Sequence, residues 1–218
     1  MSEFEDRRSK PNPADLITDP SMKARREAEN GIRQFRSALD IIQAHIAKPD
    51  RPLLLTPTLI KGLHKVALDG INIQAGSYRN EHVTIQGSQH IPPRPADIPD
   101  FVLGMCDHID EYWHGIDATE LAAYVLWRIN WIHPFADGNG RTARTICYMV
   151  LSAKLGYVLP GSPTIPEQIA ADKQPYYKVL EEADDSWKRG FLALSGMESM
   201  LEAMLERQLR GAAPAAAN

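Results

Sequence analysis

Cysteine is scarce in this chain, long apolar runs are absent and positive charge is not in excess. Only two cysteines occur, Cys106 and Cys147, and both lie in apolar helical segments. We therefore expect free buried thiols, because no Cys/His cluster has the spacing of a zinc site. No run approaches the roughly 18 apolar residues of a membrane span. A net charge of −4 argues against a protein that binds nucleic acid through a basic surface.

The first residues are charged and contain no apolar segment, so the sequence shows no signal peptide. We accordingly expect a cytoplasmic protein with no membrane anchor. Hydrophobic residues make up 44% of the chain and charged residues 24%, which is typical of a domain with a sizeable core. A length of 218 residues suits one domain with a small appendage.

Polar and titratable groups are concentrated in Trp131–Arg144, which reads W-I-H-P-F-A-D-G-N-G-R-T-A-R between two apolar helical runs. His133 can accept a proton near neutral pH, so it is a candidate base. Gly138 and Gly140 leave backbone N–H groups accessible to a ligand. The helix that we expect to follow them offers its N-terminus to an anion.

Arg141 and Arg144 lie three residues apart and therefore share one face of that helix, from which both can reach a single phosphate chain. Asp137 supplies a carboxylate for a Mg²⁺ ion that bridges the phosphates. The alternative is an ordinary Gly-Asn-Gly turn after an ordinary His-Pro helix end. We favour a polyphosphate site, because two arginines beside a glycine turn and a lone carboxylate have no obvious packing purpose.

Residues His133–Arg144 resemble the signature of Fic (Fido-domain) proteins, His-Pro-Phe-x-(Asp/Glu)-Gly-Asn-Gly-Arg-x-x-Arg, and meet every specified position. The resemblance implies a protein adenylyltransferase that moves AMP from ATP to a Ser, Thr or Tyr hydroxyl of a target protein. It implies that His133 is the base, that Asp137 holds Mg²⁺ and that Phe135 anchors the loop. It also implies that the phosphates of ATP are bound by Gly138, Asn139, Gly140, Arg141 and Arg144.

The same resemblance implies the fold class, an all-α, Fic-type helical bundle with one β-hairpin flap. The predicted divisions are an extended arm (1–20), an N-terminal helix (21–50), the catalytic domain (51–205), and a helix end with a disordered tail (206–218). Tyr176 and Tyr177 fall on the helix that helps to form the adenine pocket in this family, with Asp184 as a further candidate. Core tyrosines are an equally good explanation.

Residues 76–93 change from helical to β-prone character. Glycines and prolines bracket Val83–Ile85, so we expect a two-stranded hairpin that packs on helices. In the Fic family such a flap holds the target by strand addition, which makes 76–93 the expected docking segment. Arg79 and His90 are candidate ligand contacts, with surface roles equally open, whereas His64 is expected to be structural.

The N-terminal helix carries Ala28-Glu29-Asn30. Glu29 and Asn30 resemble the Glu-(Gly/Asn) end of an inhibitory pattern, (Ser/Thr)-x-x-x-Glu-(Gly/Asn), found in many Fic proteins. By that resemblance Glu29 pairs with Arg144 and blocks productive ATP binding. Arg25 stands where the pattern has Ser or Thr, and a solvated helix charge is the alternative for Glu29. A further alternative is a homodimer in which the partner controls the N-terminal helix, but no residue in the sequence marks the dimer interface.

Three other functions stay open at this point. Doc-like kinases are related to Fic proteins but carry a lysine near the position of Gly140, which disfavours that variant here. Removal of AMP is a second alternative, with Glu29 orienting a water molecule. A non-catalytic helical interaction module is the third, and the intact base, carboxylate and arginine pair disfavour it.

Overall fold

A computed structural model describes residues 15–48 and 53–212. Within these residues the chain forms eight α-helices, one short 3₁₀ turn and no β-strand, so the predicted all-α bundle is confirmed. Residues 1–14 of the predicted arm and 213–218 of the predicted tail lie outside the described residues. The helices are α1 (Pro20–Ile46), α2 (Pro57–Leu68), α3 (Ile98–Tyr112), α4 (Ala118–Ile132), α5 (Asn139–Leu155), α6 (Ile165–Ala171), α7 (Gln174–Lys188) and α8 (Ser195–Arg210).

Helices α4 and α5 form the centre of the bundle and pack against each other. Most residues of both helices are buried, which is typical of helices that other elements cover on several sides. Helix α1 packs on α2 and α5, and α3 and α8 pack on α4. Fully buried residues of the two central helices include Leu126, Trp127, Met149 and Val150. The loop that joins α4 to α5, residues 133–138, is therefore anchored at both ends in the core.

Most helix ends lie where local sequence signals favour them. Thr56 caps α2 by accepting a hydrogen bond from the Leu59 N–H at 3.1 Å, and α5 ends at Gly156 in the left-handed region. The sequence favours Ser21 as the cap of the first helix, and this expectation is wrong, because Ser21 lies inside α1. Asp19 is the cap, because its carboxylate accepts the Met22 N–H at 2.8 Å.

The sequence also predicts a last amphipathic helix from Trp187 to about Leu209, and the start of this predicted helix is wrong. Helix α7 continues to Lys188, and Gly190 then adopts a left-handed φ of 91° that ends the helical path. The hydroxyl of Ser186 accepts the Ala193 N–H at 3.0 Å and closes this turn before α8 begins.

The predicted β-hairpin is wrong, because residues 76–93, the flap loop, contain no paired strands in the described part of the chain. A side chain joins the two limbs of the loop instead. The guanidinium of Arg79 donates to the carbonyls of Glu81 at 2.9 Å and Pro93 at 2.6 Å. The β-prone run is only three residues long, and Ile85 at its end is buried against the protein, so a ladder of cross-strand bonds does not form.

Both cysteines are free and buried, as predicted. Burial raises the pKa of the Cys147 thiol to about 12. None of the described helices combines the length and the apolar character that a bilayer crossing requires.

Candidate active site

His133 ends α4 in a left-handed conformation, with φ 49° and ψ 57°. This geometry is uncommon for a residue other than glycine and persists only where neighbouring groups hold it. The His133 N–H donates to the Ile129 carbonyl at 2.9 Å, and Pro134 cannot continue the helix. His133 is 6% exposed. The candidate base therefore lies at the C-terminal end of α4.

The flap loop binds the end of α4. Arg79 donates from Nε to the His133 carbonyl at 2.8 Å and from its backbone N–H to the Pro134 carbonyl at 3.0 Å. Nε2 of His90 lies 2.7 Å from the Trp131 carbonyl. The last carbonyls of a helix have no partner within it, so these contacts satisfy groups that would otherwise be buried and unpaired. Arg79 and His90 are thus buried against α4, which the sequence did not reveal.

Asn139 closes the loop onto itself. Its side chain donates to the Phe135 carbonyl at 2.7 Å and accepts the Phe135 N–H at 2.9 Å. Because both ends of the amide are engaged, the side chain shapes the loop, and its backbone N–H is the part that remains for a ligand. Phe135 is fully buried, in agreement with its expected anchoring role.

His64 connects α2, the flap loop and the α4–α5 loop. Its ring stacks on Phe135 with centroids 3.7 Å apart and planes 3° from parallel. Nδ1 accepts the Gly76 N–H at 2.9 Å, so the proton is on Nε2, which donates to the Asp137 carbonyl at 2.9 Å. Burial lowers the pKa of His64 to about 4, which keeps the ring neutral. The structure thus gives His64 the structural role that we expected.

The N-terminus of α5 opens directly onto this loop. Gly138 precedes it with φ 75°, and a Cβ atom there would lie 2.9 Å from Cδ2 of Leu68. The Gly138 N–H donates to the Asp137 carboxylate at 2.6 Å. No side chain in the described part of the chain caps α5. Its first N–H groups therefore lack intrahelical partners and can bind an anion.

Arg141 and Arg144 flank this helix end, as the sequence predicted. Nη2 of Arg141 donates to Glu27 on α1 at 3.1 Å. Nη1 of Arg141 is buried and has no hydrogen-bond partner among the described residues. Nη1 of Arg144 lies beside Gly140, 3.2 Å from the place that a Cβ atom of residue 140 would take. Both guanidinium groups therefore lie at the end of α5 that can bind an anion.

Helix α1 reaches the site through Glu27 and not through the glutamate that the pattern indicated. The carboxylate of Glu29 accepts a hydrogen bond from Arg25 at 3.1 Å and is 50% exposed. The inhibitory role of Glu29 stays a prediction. The sequence does not identify Glu27, because the residue after it is neither Gly nor Asn and no local signal marks its contact with Arg141.

The two candidate adenine-pocket tyrosines have different surroundings. Tyr176 is 1% exposed and belongs to the core, whereas the neighbouring Tyr177 is half-buried, with ring centroids 5.7 Å apart. Asp184 is buried and accepts a hydrogen bond from Nε1 of Trp127 at 2.9 Å, which ties α7 to α4. Of the two rings, only that of Tyr177 lies partly at the surface.

These features define the class of the molecule, an α-helical domain that places an anion-binding helix N-terminus beside a histidine-bearing turn. A model of the Fic/DOC family matches residues 54–151. A Fido domain-containing protein of Dictyostelium discoideum is 33% identical over 125 residues, which cover 56% of this chain and 81% of that protein. The chain therefore belongs to the Fic/DOC family, which confirms the family predicted from the signature.

Two further relatives are named protein adenylyltransferase Fic. The protein of Drosophila willistoni is 31% identical over 168 residues, which cover 76% of this chain and 31% of the relative. The protein of Nematostella vectensis is 32% identical over 124 residues, which cover 55% of this chain and 26% of the relative. The chain thus spans between about a quarter and a third of the length of these two relatives.

Solved structures support the fold. A Fic domain containing signaling protein from Bacteroides thetaiotaomicron has a TM-score of 0.68 at 24% identity, covering 89% of this chain and 73% of that chain. BepC from Bartonella tribocorum, solved with bound AMPPNP, has a TM-score of 0.60 at 16% identity, covering 86% of this chain and 88% of that chain.

Proposed function

We propose that this chain is a protein adenylyltransferase, which moves AMP from ATP to a hydroxyl group of a target protein. The observation that carries the proposal is the position of His133 in a strained turn next to the N-terminus of α5. No described side chain caps this N-terminus, and the helix bears Arg141 and Arg144. The names of the Drosophila and Nematostella relatives support the same reaction.

The phosphates of ATP would bind at the N-terminus of α5. The N–H groups of residues 139–141 lack helical partners, and a helix dipole favours negative charge there. The buried Nη1 of Arg141 is a donor that a phosphate oxygen would satisfy. Arg144 lies on the same side, beside Gly140. BepC, which shares the fold, holds AMPPNP.

The residues present fit a magnesium ion that is held jointly by protein and nucleotide. The described residues contain no group of three or more His, Cys, Asp or Glu side chains that would form an all-protein metal site. Mg²⁺ is commonly bound by one or two carboxylates together with phosphate oxygens. We therefore assign Asp137 as the residue that would hold it. When bound, the ion would neutralise part of the phosphate charge.

In the reaction, the neutral imidazole of His133 takes the proton of the target hydroxyl. The hydroxyl oxygen forms a bond to the α-phosphorus of ATP as the bond from that phosphorus to pyrophosphate breaks. Arg141, Arg144 and the α5 N–H groups bind the charge of the departing pyrophosphate. The protonated His133 releases its proton to solvent after pyrophosphate leaves, and no covalent intermediate forms between the protein and the nucleotide. The protein supplies position and electrostatic complementarity.

The target segment would dock along the flap loop. Ile91 in this loop is 84% exposed and offers an apolar contact beside the base-bearing turn. Unpaired main-chain groups of such a loop can bind an extended peptide without reading its sequence strictly. Tyr177 is the tyrosine that we assign to the adenine pocket, because its ring lies partly at the surface and a flat ring can stack on a purine.

The test is incubation of the full chain with Mg²⁺ and ATP labelled at the α-phosphate. We expect label on the chain itself or on protein in an added cell extract, and its loss in His133→Ala. Measurement of ATP binding by calorimetry provides the control, because His133→Ala should keep the affinity of the parent within about threefold. Label from the γ-phosphate would instead indicate a kinase, and no transfer together with no ATP binding would overturn the proposal.

A further inference from the structure

We propose that Arg79 is a positioning residue that couples the flap loop to His133. The inference rests on the proposed function, in which the flap loop receives the target and His133 is the base. Arg79 would act through the backbone of His133 and would touch neither ATP nor the target hydroxyl.

The contacts of the Arg79 side chain connect two parts of the molecule. Nε and Nη2 donate to the last two carbonyls of the α4 end, His133 at 2.8 Å and Ile132 at 3.4 Å. Nη1 and Nη2 donate to the flap-loop carbonyls of Glu81 at 2.9 Å and Pro93 at 2.6 Å. One planar guanidinium thus holds both limbs of the flap loop against the turn that carries the base.

The surroundings of Arg79 argue against a role in simple charge pairing. The residue is 3% exposed, and its partners in the described part of the chain are carbonyl oxygens, without a carboxylate. A buried cation without an anionic partner is costly, and only a full set of hydrogen bonds offsets that cost. Burial accordingly lowers the pKa of Arg79. Its location at a helix C-terminus, where the dipole favours a cation, reduces the cost further.

The contact with the His133 carbonyl bears directly on the base. His133 is the only described residue other than glycine with a positive φ, so its peptide groups are held in an unfavourable orientation. The Arg79 side chain binds the carbonyl of His133, and the Arg79 backbone N–H binds the carbonyl of Pro134 at 3.0 Å. Together they fix the peptide planes on the C-terminal side of the imidazole. His90 adds a second link through the Trp131 carbonyl.

Arg79→Lys is the informative variant, because lysine keeps the charge but a single ammonium group cannot span carbonyls on both sides. Arg33→Lys is the matched control. Arg33 also connects two elements through its guanidinium, binding Asn30 of α1 at 2.6 Å and Asp69 at the end of α2 at 2.7 Å. Thermal melting of each variant establishes that it is folded at the assay temperature.

Three readouts separate positioning from a purely structural role. The single-turnover rate of AMP transfer is followed by intact mass, the Kd of ATP by calorimetry, and the His133 imidazole by NMR of ¹⁵N-histidine, assigned with His133→Gln. In Arg79→Lys we expect a transfer rate at least tenfold lower, a Kd of ATP within twofold of the parent, and a shifted or broadened His133 signal. Arg33→Lys should leave all three readouts unchanged.

A folded Arg79→Lys protein with a transfer rate within twofold of the parent would overturn the proposal, as would an unchanged His133 signal. A Kd of ATP that weakens in proportion to the rate would also overturn it, since Arg79 would then act on the nucleotide site. If the parent transfers no AMP, the proposed function fails, while the His133 signal still decides whether Arg79 positions the ring.

If Arg79→Lys does not fold, His90→Phe tests the same coupling. Phenylalanine keeps an aromatic ring near Trp131, where the His90 ring packs at 5.6 Å, but removes the hydrogen bond to the Trp131 carbonyl. The coupling predicts a threefold or greater loss of transfer rate with unchanged ATP affinity. A rate equal to that of the parent would show that the flap loop does not hold the base and would overturn the proposal.

Discussion

Glu27 on α1 forms an ion pair with Arg141 at the N-terminal end of α5, with 3.1 Å between Oε1 and Nη2. The Arg141 and Glu27 side chains are 25% and 34% exposed, so water screens the pair only in part. A phosphate bound at this helix end would compete with Glu27 for the same guanidinium. The pair is therefore a contact of α1 that opposes nucleotide binding at the proposed site.

Glu27→Gln should strengthen ATP binding, because it removes the negative charge that Arg141 contacts. A partly exposed ion pair is worth about 1 kcal/mol, which corresponds to roughly a fivefold lower Kd. Calorimetric titration with ATP and Mg²⁺ measures the effect. Glu29→Gln is the matched comparison, because Glu29 pairs with Arg25 in this structure and should change the Kd less. A larger gain in Glu29→Gln would contradict this expectation and support the inhibitory role predicted from the resemblance.

Gly138→Ala should destabilise the protein. The position has φ 75°, and the added Cβ would lie 2.9 Å from Cδ2 of Leu68 and 3.2 Å from Nε2 of His64. Backbone strain of this kind costs about 1–3 kcal/mol, and denaturation in urea measures the loss. Gly31→Ala is the control, because Gly31 lies in α1 with no atom within 4 Å of the new Cβ. That change should stabilise the protein by about 0.5–1 kcal/mol. Equal stabilities for the two variants would contradict the strain at Gly138.

Asn139→Asp should also lower stability, although the two side chains have nearly the same shape. The oxygen that replaces Nδ2 would face the Phe135 carbonyl, now 2.7 Å away, and two acceptors would be buried together. We expect a loss of about 2–3 kcal/mol in the free energy of unfolding, measured in urea. In Asn130→Asp, the half-buried amide gives up one hydrogen bond, to the Leu126 carbonyl, so the loss should be smaller. A larger loss in Asn130→Asp than in Asn139→Asp would show that the stability of the loop does not depend on the Asn139 amide.

Local sequence signals, such as helix caps and helix stops, predict most of the fold. The Thr56 cap, the stop at Pro134 and the end of α5 at Gly156 are local, and their physical causes can be read from neighbouring residues. The positions of Arg141 and Arg144 follow from helical spacing in the same way. These parts of the candidate site were therefore predictable without coordinates.

The rest depends on residues that are distant in sequence. Arg79 binds a carbonyl 54 residues away, and Glu27 binds a guanidinium 114 residues away. Neither partner leaves a trace in local composition or periodicity. The hairpin was predicted because Val83–Ile85 has β propensity, but propensity does not reveal that a buried guanidinium joins the limbs of the loop. Tertiary contacts of this kind override local preference.

The stability of the protein should depend on pH through His64. The ring is neutral when folded, with a pKa of about 4, whereas its ordinary value is 6.5. Between these values the unfolded chain binds a proton that the folded protein does not, so stability falls as the pH is lowered from about 6.5 to about 4. Each pKa unit corresponds to about 1.4 kcal/mol, so the full effect is on the order of 3 kcal/mol.

Protonation of Nδ1 would remove the acceptor of the Gly76 N–H, so the loss of stability should begin where the flap loop meets α2. Urea denaturation at pH 6.5, 5.5 and 4.5 measures the dependence in the parent and in His64→Gln. Glutamine can donate and accept hydrogen bonds but does not titrate, so the variant should show a shallower dependence on pH, whatever its absolute stability. His114→Gln, at an exposed histidine on the surface, is the control and should keep the dependence of the parent. If His64→Gln and the parent lose stability in parallel over this range, His64 does not carry the effect.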